Sequence, residues 1–495
     1  MLTKKIPRVN TQNISAIKFD IRYLKWYYLY KRTPNIYILN FMPKIDSTIF
    51  KAYDIRGIYP NEFNEEIAYN IGRAYLDFIR KTEKIDEPKI AVGRDSRISS
   101  DKIFEALTQG IIKQGGDVFD IGYATTPMLY WAVNFLGTHG GTMITASHNP
   151  AEYNGLKMTR SKAIPISGET GLKIIQKNSI NEKFKKGESK EAIDYKPITL
   201  YYIDFLAKKT KVCFEGKIVV DAGNAMTALV LPELLKRLNI EYIPLFFDID
   251  CTFPNHEANP FKEETLSTIK SVMKKEKAIL GVAFDGDGDR VVFLDEEQKV
   301  IRGDFITSLL AQKILREKLG GKVIYDLRSL WTPREAIEKA VGKALISKVG
   351  HSLIKEQMRK EKAVFAGETS GHYFFEDFFG CESAILAMIK VFEIMTEQKK
   401  SLKKLVEPFE KYFHSGETNF EVQDKKKILK VLEKTYKNGK KNRLDGLTIE
   451  FDDWWFNVRP SNTEPLLRLN LEAKNEKLLK EKIEEVKNII ENKSD

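Results

Sequence analysis

Three stretches of this chain repeat one pattern, and that repeat restricts the fold more than any other feature. Each begins with a lysine, runs through apolar residues and ends in a polar loop: Lys89-Ile90-Ala91-Val92-Gly93-Arg94-Asp95, Lys217-Ile218-Val219-Val220-Asp221-Ala222-Gly223 and Lys322-Val323-Ile324-Tyr325-Asp326-Leu327-Arg328. Roughly 40 to 60 residues after each comes a second apolar run feeding a polar loop, at 142–150, 280–290 and 363–372. Helical patterns lie between, for example over 232–238, 264–275 and 335–341. Apolar strands alternating with helices build α/β units around mostly parallel sheets. Three related α/β domains are therefore expected, over residues 42–196, 197–299 and 300–408. Ligand sites of such sheets form at the carboxyl ends of strands. The three second loops then occupy one class of position, and a central cleft can gather them.

Around this repeat, residues 50–57 read as a strand-like run closed by Gly57, followed by an amphipathic helix over 62–81 and another near 101–115. Past about residue 408 the pattern changes. Strand-like runs at 420–422, 447–451, 455–458 and 466–471 precede a charged helix over 476–492, whose Leu479, Ile483, Val486 and Ile490 keep helical spacing. This predicts a C-terminal α+β domain over 409–495. The lysine clusters at 425–427 and 437–441 read as solvated loops or helix faces.

A length of 495 residues fits three or four domains. The three cysteines, Cys213, Cys251 and Cys381, are odd in number and far apart, which suits a reducing cytosol and neither a disulfide framework nor a CxxC metal site. No apolar run is long enough to span a bilayer. The formal net charge of +11 invites a nucleic-acid partner, but residues 1–41 hold eight Lys and Arg against Asp20 alone, leaving +4 for the rest of the chain. That segment is also rich in aromatics (Tyr23, Trp26, Tyr27, Tyr28, Tyr30) and lacks helix caps. A transit peptide or a basic membrane-surface helix would be alternatives. It reads best as a flexible extension outside the fold.

The chemistry lies in four loops. Thr145-Ala146-Ser147-His148-Asn149-Pro150 follows the apolar run Thr142-Met143-Ile144. A buried strand thus delivers a hydroxyl beside a histidine, a candidate nucleophile with an acid/base neighbour, although an ordinary turn uses the same residue types. Asp285-Gly286-Asp287-Gly288-Asp289-Arg290 aims three carboxylates at one point. Two unit charges about 4 Å apart repel by roughly 4 kcal/mol at an effective dielectric near 20, so the cluster wants a cation. Oxygen ligands select a hard ion, Mg²⁺ or Ca²⁺. An EF-hand would place Glu296 at its twelfth position, but its sixth, which needs glycine, is Arg290, and a strand-like run follows. Gly367-Glu368-Thr369-Ser370-Gly371-His372 offers the mixed donors and acceptors that polyhydroxyl recognition needs. Arg459-Pro460-Ser461-Asn462-Thr463-Glu464-Pro465, with Arg468 nearby, makes a good phosphate cradle.

Together these loops resemble the α-D-phosphohexomutase superfamily, the phosphomannomutase/phosphoglucomutase group. The four loops look like its active-site serine, metal, sugar-binding and phosphate-binding motifs in turn. Tyr53-Asp54-Ile55-Arg56-Gly57, Gly93-Arg94-Asp95 and Gly350-His351-Ser352 also match. The resemblance runs from about Ile49 to the C-terminus. It departs at Thr369, and at Arg328 where a lysine is often found, which blurs the choice of sugar.

The resemblance implies four domains around a central cleft and reversible phosphoryl transfer between C1 and C6 of a hexose phosphate, mannose and/or glucose. A phosphorylated Ser147 carries the group, and a hexose 1,6-bisphosphate is the intermediate and activator. One Mg²⁺ per chain would lie on Asp285, Asp287, Asp289 and Ser147. Arg56, Lys157 and His351 are implied for acid/base work and charge stabilisation, with His148 and Arg290 in support. Tyr53, Arg328, Glu368, Thr369, Ser370 and His372 would hold the sugar. Arg459, Ser461, Asn462, Thr463 and Arg468 would grip the phosphate that is not reacting. A cytoplasmic monomer or weak homodimer with no nucleic-acid or membrane partner is expected. A phosphoglucosamine mutase is the nearest alternative. A Ser/His hydrolase would need G-x-S-x-G, which is absent.

Overall fold

A computed structural model describes residues 45–184, 193–210, 214–461 and 466–491. The extension expected over residues 1–41, together with Cys213, Asn462 and Thr463, lies outside the described residues.

The first sheet holds β1 (Ile55–Ile58), β2 (Lys89–Arg94), β3 (Asp117–Tyr123), β4 (Gly140–Ile144), β5 (Tyr153–Arg160) and β6 (Ile193–Tyr195), in the order β1-β5-β4-β2-β3-β6. The second holds β7 (Ile218–Asp221), β8 (Tyr242–Leu245), β9 (Leu280–Phe284), β10 (Val291–Leu294) and β11 (Val300–Ile301), ordered β11-β10-β9-β7-β8. The third holds β12 (Lys322–Asp326), β13 (Lys343–Ser347), β14 (Phe365–Gly367), β15 (Tyr373–Phe375) and β16 (Cys381–Glu382), ordered β13-β12-β14-β15-β16. One arrangement recurs: β3-β2-β4-β5, β8-β7-β9-β10 and β13-β12-β14-β15 are the same neighbour order. In each, the first two pairs are parallel and the third is antiparallel. The sheets are therefore mixed, parallel at the centre. Helical crossovers give the parallel pairs, whereas a short loop joins the last two strands and forces an antiparallel return. Those three short loops are the serine, aspartate and Glu368 loops.

Several boundaries differ from the sequence reading. In the run over 50–57 only Ile55 onward is strand; before it, Asp46 caps a short turn by accepting from the Thr48 backbone N–H at 2.8 Å. The amphipathic helix spans Glu65–Glu83, because Asn64 supplies the N-cap to Ile67 N. The helix expected from Glu335 begins at Trp331 and has no side-chain cap to announce it. Lys425 to Lys427 form the first turn of the helix Lys425–Thr435, capped by Asp424.

The fourth sheet, β17 (Phe413–Glu421), β18 (Lys440–Asn442), β19 (Leu447–Glu450), β20 (Trp454–Pro460) and β21 (Leu466–Ala473), runs β17-β21-β20-β19-β18 and is antiparallel throughout. Ile428, Leu432, Val486 and Ile490 from its two helices close a core over Phe456, Leu469 and Leu471. Among the described residues no helix is long and apolar enough to cross a membrane.

In the first domain the helices Glu65–Glu83 and Ser100–Lys113 cross at two glycines. A Cβ on Gly110 would overlap the Tyr69 carbonyl oxygen, and one on Gly72 the Leu107 carbonyl oxygen. The obstacle is backbone, so it cannot swing aside. Gly110→Ala is expected to lower stability by about 1–3 kcal/mol through overpacking, despite alanine's better helix propensity. Urea denaturation should show the lower midpoint; an unchanged or higher midpoint would mean that the helices separate freely.

Candidate active site

Strand β4 is fully buried and ends at Ile144, which carries the next residues into the interior of the cleft. Ser147 is 3% exposed and takes a left-handed backbone conformation, φ 54°. A non-glycine residue held there is strained, and its surroundings must hold it. Arg97 supplies that hold. Its guanidinium donates to four carbonyls of the loop: Ser147 (3.0 Å), Asn149 (2.7 Å), Pro150 (2.5 Å) and Tyr153 (2.9 Å). Asp95 fixes the guanidinium from behind at Nε, 3.1 Å. Arg56 is bound to Asp54 at 2.8 Å and donates to Asn149 Oδ1 at 2.6 Å. Ser147 Oγ lies 3.2 Å from His148 Nδ1 and 3.2 Å from Asp285 Oδ2. Burial, then Arg290 and Arg56, hold His148 well below the usual imidazole range, so the ring is neutral.

The aspartate loop is the equivalent turn of the second unit. Asp285, Asp287 and Asp289 are wholly buried, with one oxygen of each within 4.8 Å of the others. Lys157, from β5 of the first domain, donates to Asp287 Oδ2 at 2.6 Å and Asp289 Oδ2 at 2.5 Å. Burial disfavours its charge, but Asp287 and Asp289 more than offset that and raise its pKa. Arg290 Nε donates to Asp285 Oδ2 at 2.9 Å. Burial and Asp289 push the Asp285 carboxyl up. Burial acts on Asp289 too, yet Lys157 and His372 keep it well below the carboxylate range. Thr126 caps Asp287 through both its hydroxyl and its backbone N–H, the latter 2.9 Å from the Asp287 carbonyl. Gly286 rests on the Ser147 carbonyl so closely that a Cβ would overlap it.

This donor set fits a hard divalent cation. All its donors are oxygens, and among the described residues only Lys157 and Arg290, of the cations around them, hydrogen-bond the carboxylates; His372, shared with Glu368, stays 3.4 Å from Asp289. Asp287 Oδ1 is buried with no hydrogen-bond partner among the described residues. Asp289 Oδ1 meets only His372 Nε2 at 3.4 Å and Arg290 at 4.0 Å. Such oxygens are costly to bury unless a cation takes them.

In the third unit, Glu368 accepts from the Gly350 backbone N–H at 3.0 Å and from His372 Nδ1 at 2.8 Å. His372 Nδ1 is thus held by Glu368, while its Nε2 faces Asp289 Oδ1 at 3.4 Å without a hydrogen bond, so the ring stands between the sugar loop and the aspartate loop. Burial opposes its charge, but Asp289 and Glu368 raise its pKa to about 9. Arg328 is clamped by Asp326 at 3.0 and 2.8 Å and reaches Ser370 Oγ at 3.3 Å. The Thr369 backbone N–H donates to Asp326 at 2.6 Å. Tyr53 donates to the Val349 carbonyl at 3.0 Å, and its ring meets His351 edge-on at 5.9 Å between centroids.

In the C-terminal domain Arg459 donates to Glu417 Oε2 at 2.7 Å and Arg468 to Oε1 at 3.3 Å. Glu417 also acts on Arg328 electrostatically, which links this loop to the third unit. Ser461 is buried beside them. The structure therefore joins Ser147, Lys157, Arg290, the aspartates, Glu368, His372 and Arg328 by direct contacts, and Arg459 through Glu417. The sequence reading missed Arg97, Thr126, Asp326 and Glu417. For these a signal was there in part: Asp326 is the last residue of β12, and Arg97 and Thr126 each sit three residues past the end of a strand.

Four family models match the chain in order: phosphoglucomutase/phosphomannomutase alpha/beta/alpha domain I over residues 47–186, domain II over 201–299, domain III over 302–412, and the C-terminal domain over 417–489. A phosphomannomutase of Methanocaldococcus jannaschii is 41% identical over 452 residues, covering 90% of this chain and 98% of that protein. One of Vibrio cholerae is 40% identical over 460 residues, again 90% and 98%. The crystal structure of a phosphoglucomutase/phosphomannomutase family protein from Burkholderia thailandensis superposes with a TM-score of 0.84 at 29% identity, covering 91% of this chain and 99% of that one.

The hold on the serine loop is testable by itself. Arg97→Lys leaves at least two buried carbonyls without a donor, at about 1–3 kcal/mol each. Hydrogen exchange at the amides of residues 147–149 and 151–153 should quicken at least about tenfold, with the other three sheets unaffected. Unchanged protection there would show that the loop holds itself.

Proposed function

The chain belongs to the phosphoglucomutase/phosphomannomutase family of phosphohexomutases, and we propose that it moves a phosphoryl group reversibly between C1 and C6 of mannose and/or glucose phosphates. In this reading its four domains run over 42–196, 197–299, 300–408 and 409–495. The observation that carries it is Ser147: a hydroxyl in a strained, four-point-held loop, 3.2 Å from the nearest of three buried carboxylates and 3.2 Å from a neutral imidazole. A nucleophile that must both accept and return a phosphoryl group needs a fixed Oγ and a neighbour that does not compete as a cation.

Ser147 stores the phosphoryl group as a phosphoserine. Lys157, Arg56 and Arg290 stabilise negative charge as it redistributes during transfer, while His148 keeps its hydrogen bond to Oγ. His351 and Lys157 face the proton work. Tyr53, Arg328, Glu368, Thr369, Ser370 and His372 hold the sugar hydroxyls, directly or by fixing one another. Arg459, Arg468 and Ser461, with Asn462 and Thr463, hold the distal phosphate. Asp285, Asp287, Asp289 and the Ser147 oxygen would bind one Mg²⁺, which when bound supplies Lewis-acid neutralisation of the transferring group. The hexose 1,6-bisphosphate formed in the first transfer turns over and returns its other phosphate to Ser147. The cytoplasm, and a monomer or weak homodimer, belong to the same proposal. Relatives named phosphomannomutase do not favour the phosphoglucosamine alternative.

A coupled assay with mannose 1-phosphate, glucose 1-phosphate and glucosamine 6-phosphate tests the reading. Ser147→Ala should cut kcat by at least about a thousandfold, and the phosphate seen in the intact wild-type mass should vanish. Near-normal turnover in that variant would end the mutase reading.

The distal-phosphate loop makes a second prediction. A planar guanidinium can bind two phosphate oxygens at once, so Arg459 is the natural anchor during reversal of the bisphosphate. Arg459→Ala should raise KM and also release more 1,6-bisphosphate per turnover, measured by phosphorus NMR; added bisphosphate should partly restore the rate. If KM rises while leakage stays at the wild-type level, the loop binds substrate without retaining the intermediate.

A further inference from the structure

Arg459 and Arg468 stand directly opposite each other on the antiparallel pair β20–β21. Like charges in that position repel and weaken a sheet. The neighbouring strand answers them. Glu417 on β17 lies two residues from Asn419, the residue paired with Arg468, and so shares its face. Its carboxylate is split between the two guanidiniums. Oε2 accepts from Arg459 Nη2 at 2.7 Å and Oε1 from Arg468 Nη1 at 3.3 Å, with Asn470 Nδ2 at 3.5 Å from Oε2. Burial opposes the charge of Glu417, but Arg459, Arg328 and Arg468 hold its carboxyl below the usual range, so it is ionised.

A carboxylate between two arginines on a sheet face can be structural only. Two observations argue for more. The first is that the contact is incomplete. Arg459 is buried, and its Nε has no hydrogen-bond partner among the described residues. The carboxylate therefore uses one nitrogen of a planar fork that can engage two. The second is that Glu417 has room to leave. It follows an irregularity in the β17 register between His414 and Glu417, where Gly416 takes φ 72°, and its side chain is 29% exposed. The reaction adds a requirement of its own. A loop that grips the distal phosphate must also let it go once per cycle, when the bisphosphate reverses, and a bare pair of arginines would hold it too well.

We propose that Glu417 is a positioning residue that stands in for the distal phosphate on Arg459 and Arg468, gives way when a phosphate arrives and takes the arginines back when it leaves. Its place in the cycle rests on the mutase reading. With the site empty, the carboxylate keeps the facing guanidiniums from repelling. A phosphate that takes Nη2 and Nε of Arg459 together makes two bonds where the carboxylate makes one, and displaces it. When the bisphosphate reverses, the carboxylate returns, so the departing phosphate does not leave two cations bare. Glu417 thereby weakens the grip on phosphate and eases its release. The exchange moves no proton and forms no covalent bond.

The test separates binding from turnover on the full-length protein. In a Ser147→Ala background, where no phosphoryl transfer intervenes, Glu417→Gln should lower the Kd of inorganic phosphate and of mannose 1-phosphate by about 3- to 30-fold. With Arg459→Ala added, that gain should shrink to less than about twofold, because the carboxylate acts through this guanidinium. With Ser147 intact, Glu417→Gln should lower KM and also lower kcat by about 3- to 10-fold, with less 1,6-bisphosphate released per turnover. Glu417→Asp keeps the charge and should stay within about threefold of wild type in KM and kcat. If Glu417→Gln does not fold because the facing arginines repel, Glu417→Gln/Arg468→Gln compared with Arg468→Gln carries the same expectation for Kd. A Kd that is unchanged or rises on loss of the Glu417 charge overturns the proposal and leaves a scaffold for the arginines. A gain that persists undiminished with Arg459→Ala overturns the exchange on that guanidinium. If the wild type turns over no hexose phosphate, the mutase reading falls, and the inorganic-phosphate titration alone decides whether Glu417 contends for the site.

Discussion

Three carboxylates buried within 4.8 Å of one another are the constraint on which this molecule depends. At that separation and an effective dielectric near 20, three pairs repel by about 10 kcal/mol in total. No single element could absorb that. The compensation comes from elsewhere in the chain: Lys157 from the first domain, Arg290 from the same loop, His372 from the third. Lys157 and Arg290 are themselves buried, and His372 is largely so, which would be costly without the carboxylates. The charges are thus bound reciprocally across domains, and the serine is brought to Asp285 as part of the same arrangement.

The repeat explains why the loops meet. At the end of its first strand each α/β unit carries an aspartate that accepts the backbone N–H two residues on: Asp95 from Arg97, Asp221 from Gly223, Asp326 from Arg328. The free side of that carboxylate then grips a cationic or polar group. Asp95 and Asp326 hold the guanidinium of the same arginine, which reaches the serine loop in one unit and Ser370 in another. In the second unit Asp221 holds His256 at 3.0 Å instead. One local turn was kept three times while its reach was redirected.

Much of this was legible in the sequence. The strand periodicity, the four loops and their chemistry follow from local patterns that survive without tertiary information. What stayed hidden was long-range. Glu382 meets Tyr130 across 252 residues and Lys157 meets Asp287 across 130, and no spacing rule connects such positions. Lys355 lies in an amphipathic helix where lysine normally means solvent, so its burial was invisible. Helix starts slipped where no side chain caps them, as before Trp331. His372 lies four residues from Glu368 in the sequence, but its approach to Asp289, in another loop 83 residues away, could not be read from it.

Gly286 has an ordinary backbone conformation, so its missing side chain is needed for space alone; its Cα faces the Ser147 carbonyl, and a methyl there would overlap it. The gap between nucleophile loop and aspartate loop is accordingly gauged by a hydrogen atom. Because the two loops belong to different domains, a methyl here would press on the seam between them rather than inside one core. It would register as a displacement of one loop from the other by a fraction of an ångström, a change in reach rather than in strength. Such a protein could look intact by every bulk measure and still hold its two reacting parts out of range.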